Sequence, residues 1–501
     1  MIDTALKTNP TSAAFADSLP ACDILMQLDN MLEGGLENVV IDLALALEGW
    51  GYSTAVLVLG ATGKAVHKAV RNGLRVCVFP YSEKALRQAL ERNRPAIVFA
   101  HYSFQGAHLY EDLGIPFIQV LHNVYAWFDD AGKAMFTKAA AHTRLFVAVS
   151  ETVKEYSVEH LGVPAEKCLT IPNGIALSRF TPKAAQAAQY LRRQRGFSEK
   201  DFVFVAVASL NRNKRILALV KSLRCIRDLA PHAKLVLLGD PQDQGYLDEI
   251  LAYIAQNGLQ DRVSYAGHST TPELYYLMAD AFVHASGIEG GQLVLLEALA
   301  ANLAVVTTDV GFARHFAPYP GIRLVDRNFP YIHTSFTNEA LRPFPDLVAD
   351  LALGMLQTCR SGTRPNLPQE VIAAFDSTRT YARYEQLITK ILKLPSQTEP
   401  ATGWMELLPE PPVGTTASLS SDEKDVAVVV RVIADYEAIV AERDAALAAQ
   451  QTSLRIDLPQ LPNSWLARIF PALHSLVVRC WLKWRTQGLI GVLRAVRKRL
   501  P

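Results

Sequence analysis

The chain has 501 residues, 50% of them apolar and 20% charged. That is enough for two or three globular domains with real cores, and unlike a disordered or collagen-like chain. The six cysteines (Cys22, Cys77, Cys168, Cys225, Cys359, Cys480) are scattered with no C-x-x-C pair, which argues against a disulfide framework or structural zinc and for free thiols in a reducing compartment. The formal charge of +1 hides an asymmetry: Leu458 to Pro501 carries eight Lys or Arg and no Asp or Glu, leaving 42 basic and 49 acidic residues before it, a net of −7.

Met1 to Leu19 has no basic stretch followed by an apolar run, so no secretion signal is expected. No apolar run reaches the roughly 18–20 residues that span a bilayer. The expectation is a cytoplasmic protein. Short apolar runs at Asp23–Leu28, Thr54–Val58, Arg75–Phe79, Ala96–Ala100, Phe117–Leu121 and Leu145–Val149 read as strands, with helical periodicity between them at Glu37–Glu48 and Lys84–Arg92. Strands without polar alternation, separated by helices, predict a parallel sheet covered on both faces. The pattern restarts with Phe202–Ala208, Lys234–Leu238, Val263–Tyr265, Ala281–His284, Ala304–Thr308 and Arg323–Val325. Two consecutive Rossmann-like, doubly wound α/β domains are predicted, 1–183 and 184–394, meeting near Phe180–Arg195.

Pro395, Pro400, Pro409, Pro411 and Pro412 then mark a linker over 395–420. Helix formers return over 421–452, with Val429, Val432, Tyr436, Ile439 and Leu447 on one stripe. A short coiled coil and a single amphipathic helix fit that stripe equally. The tail, 453–501, interleaves Trp465, Leu466, Phe470, Trp481 and Trp484 with its cations. It reads as an interfacial segment for an anionic membrane surface, the alternative being packing on the body or on a partner chain. No nucleic-acid partner is expected.

The segment from Glu289 to Glu297 follows the predicted strand Ala281–His284 and opens a helix running to about Ala300. Helix N-termini present free N–H groups, and Gly290 and Gly291 let a ligand approach the backbone. Eight helical residues would hold the two carboxylates roughly 12 Å apart, too far for an acid/base pair and suited to gripping a long ligand at two places. By itself the spacing also fits a solvated helix face. After the first strand of the second half, Val207 to Lys214 carries Ser209, Arg212 and Lys214 in a loop. In the first half Glu33-Gly34-Gly35-Leu36-Glu37 joins strand to helix, as a tight turn or an anion-binding loop. His122 lies just past a predicted strand, where open α/β sheets keep their sites. His101 has the same topological position. The chain contains no D-x-D and no G-x-G-x-x-G, which speaks against a D-x-D metal site and against a dehydrogenase.

With its E-x7-E motif in a strand–loop–helix setting, the stretch from Met26 to Leu392 resembles the retaining GT-B glycosyltransferases of family 4. The resemblance implies two Rossmann-like domains facing a cleft, with Tyr381–Leu392 as a helix that packs back on the first. It also implies transfer of a sugar from a nucleotide sugar to a hydroxyl acceptor with retention. Glu297 would bind the donor ribose, and Glu289 would lie near the donor sugar. The backbone of Gly290, Gly291, Gln292 and Leu293 would lie beside sugar and phosphate. His122 would stand beside the sugar, and Gly34 and Gly35 would face the phosphates. Glu289, His122 and Lys214 are thus the residues expected at the chemistry. Lys214 matches the lysine of the family's phosphate clamp, whereas Ser209 stands where its arginine is expected. Arg212 either replaces that arginine or is an exposed loop charge. Asn173 and Gly174 fit the family's domain-ending segment, more as turn residues than as ligands. Gly267–His268 falls near the nucleotide base. Gly311, Phe312 and Arg314 depart from the family's glycine pair and acidic residue. No metal or other cofactor is implied. The acceptor would be a cell-surface glycan or glycolipid, at the inner face of the cell membrane. The rival readings are a nucleotide-sugar 2-epimerase, a phosphorylase-like enzyme on the same fold, and a non-catalytic sugar-nucleotide-binding scaffold.

Overall fold

The computed structural model describes residues 15–16, 19–32, 34–325 and 345–393, and these form two α/β lobes. The expectations for 395–420, 421–452 and 453–501, and for Glu33, lie outside the described residues. In the first lobe β1 (Phe15–Ala16), β2 (Ile24–Leu28), β3 (Thr54–Val58), β4 (Arg75–Val78), β5 (Ile97–His101), β6 (Phe117–Leu121), β7 (Leu145–Ala148) and β8 (Cys168–Thr170) form one sheet in the order β1-β4-β3-β2-β5-β6-β7-β8. In the second β9 (Phe202–Val207), β10 (Ala233–Leu238), β11 (Val263–Gly267), β12 (Ala281–His284), β13 (Ala304–Thr308) and β14 (Ile322–Val325) follow the order β11-β10-β9-β12-β13-β14. Every pairing is parallel. The two edge strands β1 and β8 escape sequence reading because two or three residues carry no periodicity.

The strands form where the sequence is continuously apolar. Every residue of β2, β3, β5, β6 and β13 is buried, as a sheet covered on both faces requires. Gln27 within β2 is the informative exception. Its amide donates to Ser103 Oγ at 2.8 Å and to the Gln105 carbonyl at 2.9 Å, and its oxygen accepts from the Tyr110 hydroxyl. A buried amide satisfied in this way costs little.

The order of strands reverses between β2 and β5 in one lobe and between β9 and β12 in the other. At such a switch point the loops leaving neighbouring strands part in opposite directions and open a crevice at the carboxyl ends of the strands. The first core runs to Ile171, and the second begins at Ile175. The helix Pro182–Gln194, capped by the Thr181 hydroxyl on Ala184 N at 3.1 Å, buries Ala188 in the second core. The change of lobe therefore falls ahead of position 183, where the sequence had placed it, because the helix there already packs on the second lobe.

The chain returns through the helix Ser377–Lys393, whose Tyr384, Leu387, Ile388 and Ile391 join the first core. The two crossings are bonded to each other. Ile175 N donates to the Phe375 carbonyl and Ser377 N to the Ile175 carbonyl, both at 2.9 Å. A Cβ on Gly174 would come 2.7 Å from Thr380 Oγ1 and 2.8 Å from Asp376 C, so only glycine lets the crossings touch. Among the described residues no helix is long and apolar enough to cross a membrane.

Candidate functional site

The carboxyl ends of the central strands of both sheets converge on one cavity of about 290 Å³. The first lobe contributes Gly35, Leu36 and Val39 after β2, Tyr102 after β5, His122 and Asn123 after β6, and Asn173. The second contributes Val207 at the end of β9, Ala208, Ser209 and Lys214 after it, His284 at the end of β12, and Glu289 to Val294.

Glycine at 290 answers to close packing rather than to backbone conformation. A Cβ there would come 2.0 Å from the His122 carbonyl oxygen and 2.8 Å from Asn123 Cα, so the two lobes meet at this glycine. Ser150 strengthens the junction. It caps the helix Glu151–Leu161 by accepting from Val153 N at 3.2 Å, and its hydroxyl donates to the Gly290 carbonyl at 2.5 Å. Thr152 Oγ1 donates to the Gly311 carbonyl at 2.9 Å. Gly311 has φ +53, and a Cβ would sit 2.2 Å from Gln292 Oε1. The buried Gln292 amide is spent on backbone, accepting from Phe312 N at 2.8 Å and donating to the Val310 carbonyl at 2.7 Å.

The second-lobe wall is charged. Lys214 Nζ lies 2.5 Å from Glu289 Oε1, and His284 Nε2 lies 3.4 Å from the same oxygen. Burial alone would push the Glu289 carboxyl up, but the Lys214 ammonium and the His284 ring outweigh it and hold it well below the usual carboxylate range. Glu289 sits in the loop ahead of the helix, which begins only at Leu293 and ends at Ala300. The helical spacing of roughly 12 Å therefore does not apply, because the three residues after Glu289, Gly290 to Gln292, fold as the junction with the first lobe instead of as a helical turn.

Glu297, on the helix, does not line the cavity. Arg179 Nη1 donates to its Oε1 at 3.1 Å and the Tyr276 hydroxyl to its Oε2 at 2.9 Å. The same guanidinium also donates to Glu273. Burial raises the Glu297 carboxyl in spite of Arg179. Arg212 also stands off the cavity. It pairs with Glu249 at 3.0 Å and Asp243 at 3.7 Å, and its guanidinium lies 5.2 Å from the Tyr246 ring. The space beside Ser209, which lines the cavity, is therefore not filled by Arg212, because nearby carboxylates hold that cation outward. Gly34 is likewise outside the lining, while Gly35 is part of it. Gly267 and His268 lie away from it, His268 pairing with Asp240 at 2.9 Å. Phe312 belongs to the second core and Arg314 to the surface, where it pairs with Asp309 at 2.8 Å. The departures at these two positions are thus packing and surface features.

The first-lobe wall is uncharged. His101 Nδ1 and His122 Nε2 share a hydrogen bond of 2.8 Å in the interior. Burial pushes His101 down to about 3 and His122 well below its ordinary value, the latter assisted by His101. Both rings are therefore neutral at pH 7, one donating and one accepting. Sequence reasoning found His101 and His122 at strand ends. His284 carries the same signal, a polar residue ending a central strand, and was missed. Tyr102, Asn123 and Arg179 carry no sequence signal. Asn173 lines the cavity with its Oδ1 buried and without a hydrogen-bond partner, so it is more than the turn residue its context suggested. Among the described residues no three His, Cys, Asp or Glu side chains gather as a metal site.

Comparison with known proteins gives this geometry a family context. Residues 33–179 match the profile described as Glycosyltransferase Family 4, and residues 188–317 the profile described as Glycosyl transferases group 1. The alpha-monoglucosyldiacylglycerol synthase of Acholeplasma laidlawii is 23% identical over 310 residues, covering 55% of this chain and 77% of that one. The N-acetylgalactosamine-N,N'-diacetylbacillosaminyl-diphospho-undecaprenol 4-alpha-N-acetylgalactosaminyltransferase of Campylobacter jejuni is 31% identical over 153 residues, 30% of this chain and 38% of that one. The chain spans about half the length of several curated relatives it matches, 54, 45 and 38% of three of them. The crystal structure of Anabaena HepE in complex with UDP superposes with a TM-score of 0.60 at 19% identity, over 74% of this chain and all of that one.

Proposed function

Because the chain belongs to the family 4, group 1 glycosyltransferases of GT-B fold, we propose that it transfers a sugar from a nucleoside-diphosphate donor to a hydroxyl of a glycan or glycolipid, with retention and without a metal. The observation that carries this reading is the Lys214–Glu289 pair at the cavity wall, beside the start of the helix Leu293–Ala300. The bond from the anomeric carbon to the diphosphate oxygen breaks, a bond to the acceptor oxygen forms, and the acceptor proton passes to the leaving phosphate. The charge that develops on the diphosphate is met by the Lys214 ammonium and the helix N–H groups, fixed before the reaction begins. Glu297, one helical turn beyond the cavity-lining Leu293, takes the ribose at the far end of the donor: an ionised carboxylate has about four acceptor sites, and Arg179 and Tyr276 use one on each oxygen. His122 and the buried Asn173 amide face the sugar. The teichuronic acid, diphospho-undecaprenol and diacylglycerol enzymes among its relatives support a glycan or lipid-linked acceptor, which this chain would meet at the inner membrane face.

A thermal-shift screen of nucleotide sugars followed by product analysis in excess EDTA tests the reading. A ligand at about 100 times its dissociation constant adds about 2.7 kcal/mol. A stabilising donor that is turned over with EDTA present is the expected result. Turnover that needs added manganese or magnesium overturns the metal-free mechanism. Donor epimerised without acceptor indicates an epimerase, sugar 1-phosphate formed from a glycan and inorganic phosphate a phosphorylase, and binding without turnover a scaffold.

A further inference from the structure

Beside the cavity the first lobe carries a group of aromatic rings that the donor chemistry leaves unused. Tyr102, which lines the cavity, has its ring nearly parallel to that of His122, at 5.8 Å and 14°, and nearly parallel to that of Trp127, at 6.4 Å and 18°. Trp127 is 36% exposed. The rings thus form a series from the cavity wall to the surface. Their arrangement is held from behind: Tyr125 is buried, 5.3 Å from Tyr102 and 5.5 Å from Trp127, and packs in turn on Phe104 and Phe128. Tyr102 and Tyr125 have φ of +50 and +48, a left-handed conformation that bulky residues rarely adopt. Strain of this kind, of order 1–3 kcal/mol per residue, persists where surrounding packing fixes it and gathers at ligand sites.

We propose that Trp127 and Tyr102 are the stacking platform for a neutral pyranose ring of the acceptor. This rests on the transferase reading above. A fixed, parallel pair of aromatic faces matches the flat C–H face of a pyranose, which presents apolar hydrogens above and below and hydroxyls at its rim. The charge around the platform selects among ligands. Asp129 and Asp130 follow Trp127 after one residue, Phe128, and are exposed; Asp129 Oδ1 caps the helix Asp130–Ala141 by accepting from Gly132 N at 2.8 Å. Carboxylates accept from sugar hydroxyls and repel anionic phosphates, so an acceptor sugar fits this edge and an anionic lipid surface does not.

Saturation-transfer NMR on the full chain tests the proposal. The probes are the methyl α-glycosides of glucose, galactose, mannose and N-acetylglucosamine, with linear sorbitol as control and UDP, GDP or ADP present to fill the nucleotide site. Saturation of ring protons of at least one glycoside is expected, falling at least fivefold in Trp127→Ala and less in Trp127→Phe, with nucleotide affinity by calorimetry within twofold of wild type. No transfer to any glycoside, or equal transfer in Trp127→Ala, overturns the platform. Trp127-dependent binding to phosphatidylglycerol vesicles, unaffected by the glycosides, overturns it in favour of a lipid surface. Loss of nucleotide binding in the wild-type protein is a separate failure, that of the transferase reading itself.

Discussion

The two walls of the cavity handle charge in opposite ways. The second-lobe wall is ionic, with Lys214 against Glu289, and outside the lining Arg179 stands between Glu273 and Glu297. The first-lobe wall is aromatic and neutral, with His122 uncharged, bonded to the neutral His101 behind it, and Tyr102 stacked on His122. Both walls are built at strand ends of the same kind of sheet, so the fold does not dictate the difference. It follows from which side chains end the strands: a lysine in the loop after β9 and a glutamate after β12, but histidines, tyrosines and tryptophan after β5 and β6. A doubly charged diphosphate belongs against the first kind of wall and a sugar against the second. The comparison also separates the effects expected of mutation, since an ionic wall fails by leaving a charge unpaired and a neutral wall fails by acquiring one.

The largest effect is expected at Lys214. Lys214→Ala leaves the buried Glu289 carboxylate without its main partner. Breaking a fully buried pair destabilises by about 3–5 kcal/mol, and this one, with side chains 22% and 13% exposed, should lose less; the loss of a charge-assisted contact of about 1.5–3 kcal/mol lowers nucleoside-diphosphate affinity by about 10- to 100-fold. The double variant Lys214→Met with Glu289→Gln separates the two losses: denaturation should show most of the stability restored, and calorimetry should show the nucleotide affinity still lost. Wild-type affinity in Lys214→Ala would remove the ionic wall from donor binding.

A smaller effect, of the opposite kind, is expected at the histidine pair. Burial holds both folded-state values below the ordinary 6.5 of an exposed imidazole. The stability they provide is therefore complete above about pH 6.5 and is lost as the pH falls, because the unfolded chain binds protons that the folded one refuses. Between pH 6.5 and 5 the neutral His101, pushed down to about 3, costs about 2 kcal/mol, at about 1.36 kcal/mol per pH unit, and His122 adds a cost of the same sign. In His101→Gln one titrating ring remains, and urea midpoints at pH 7 and 5 should show a correspondingly smaller fall. Asp29 and Glu297, whose carboxyls burial raises, act the other way in both proteins and leave the difference intact. An equal or steeper pH dependence in the variant would mean the pair is not neutral.

The contrast between the walls was partly legible in the sequence. Lys214, Glu289, His122 and the Gly290–Gly291 pair are chemical types at strand ends, and the doubly wound pattern locates strand ends well. The parts that were not legible depend on contacts distant in sequence. Arg179 reaches Glu297 across 118 positions and Ser150 reaches Gly290 across 140. The parallel stack of Tyr102 and Trp127 depends on a positive φ that a tyrosine does not announce. The start of the helix Leu293–Ala300 was misplaced by four residues because Glu289 and the glycines are equally compatible with a helical turn and a loop. The close contact of Gly290 with the first lobe decides for the loop.

The smallest effect is expected at Arg212, the cation that the sequence offered as a replacement for the arginine missing at Ser209. Its side chain is 39% exposed, and it is paired with Glu249 and Asp243, themselves 45% and 42% exposed. Exposed pairs of this kind contribute about 0–1 kcal/mol, because water screens the attraction and two long side chains lose freedom in forming it. To reach the space beside Ser209 the guanidinium would have to leave both carboxylates and the Tyr246 ring. Arg212→Ala should therefore keep nucleoside-diphosphate affinity within about twofold of wild type, less than about 0.4 kcal/mol, and Ser209→Arg should add affinity by supplying a cation from a position that already lines the cavity. A tenfold loss in Arg212→Ala by calorimetry would show that this arginine swings inward when the nucleotide arrives, and that the ionic wall is completed by the ligand rather than prepared before it.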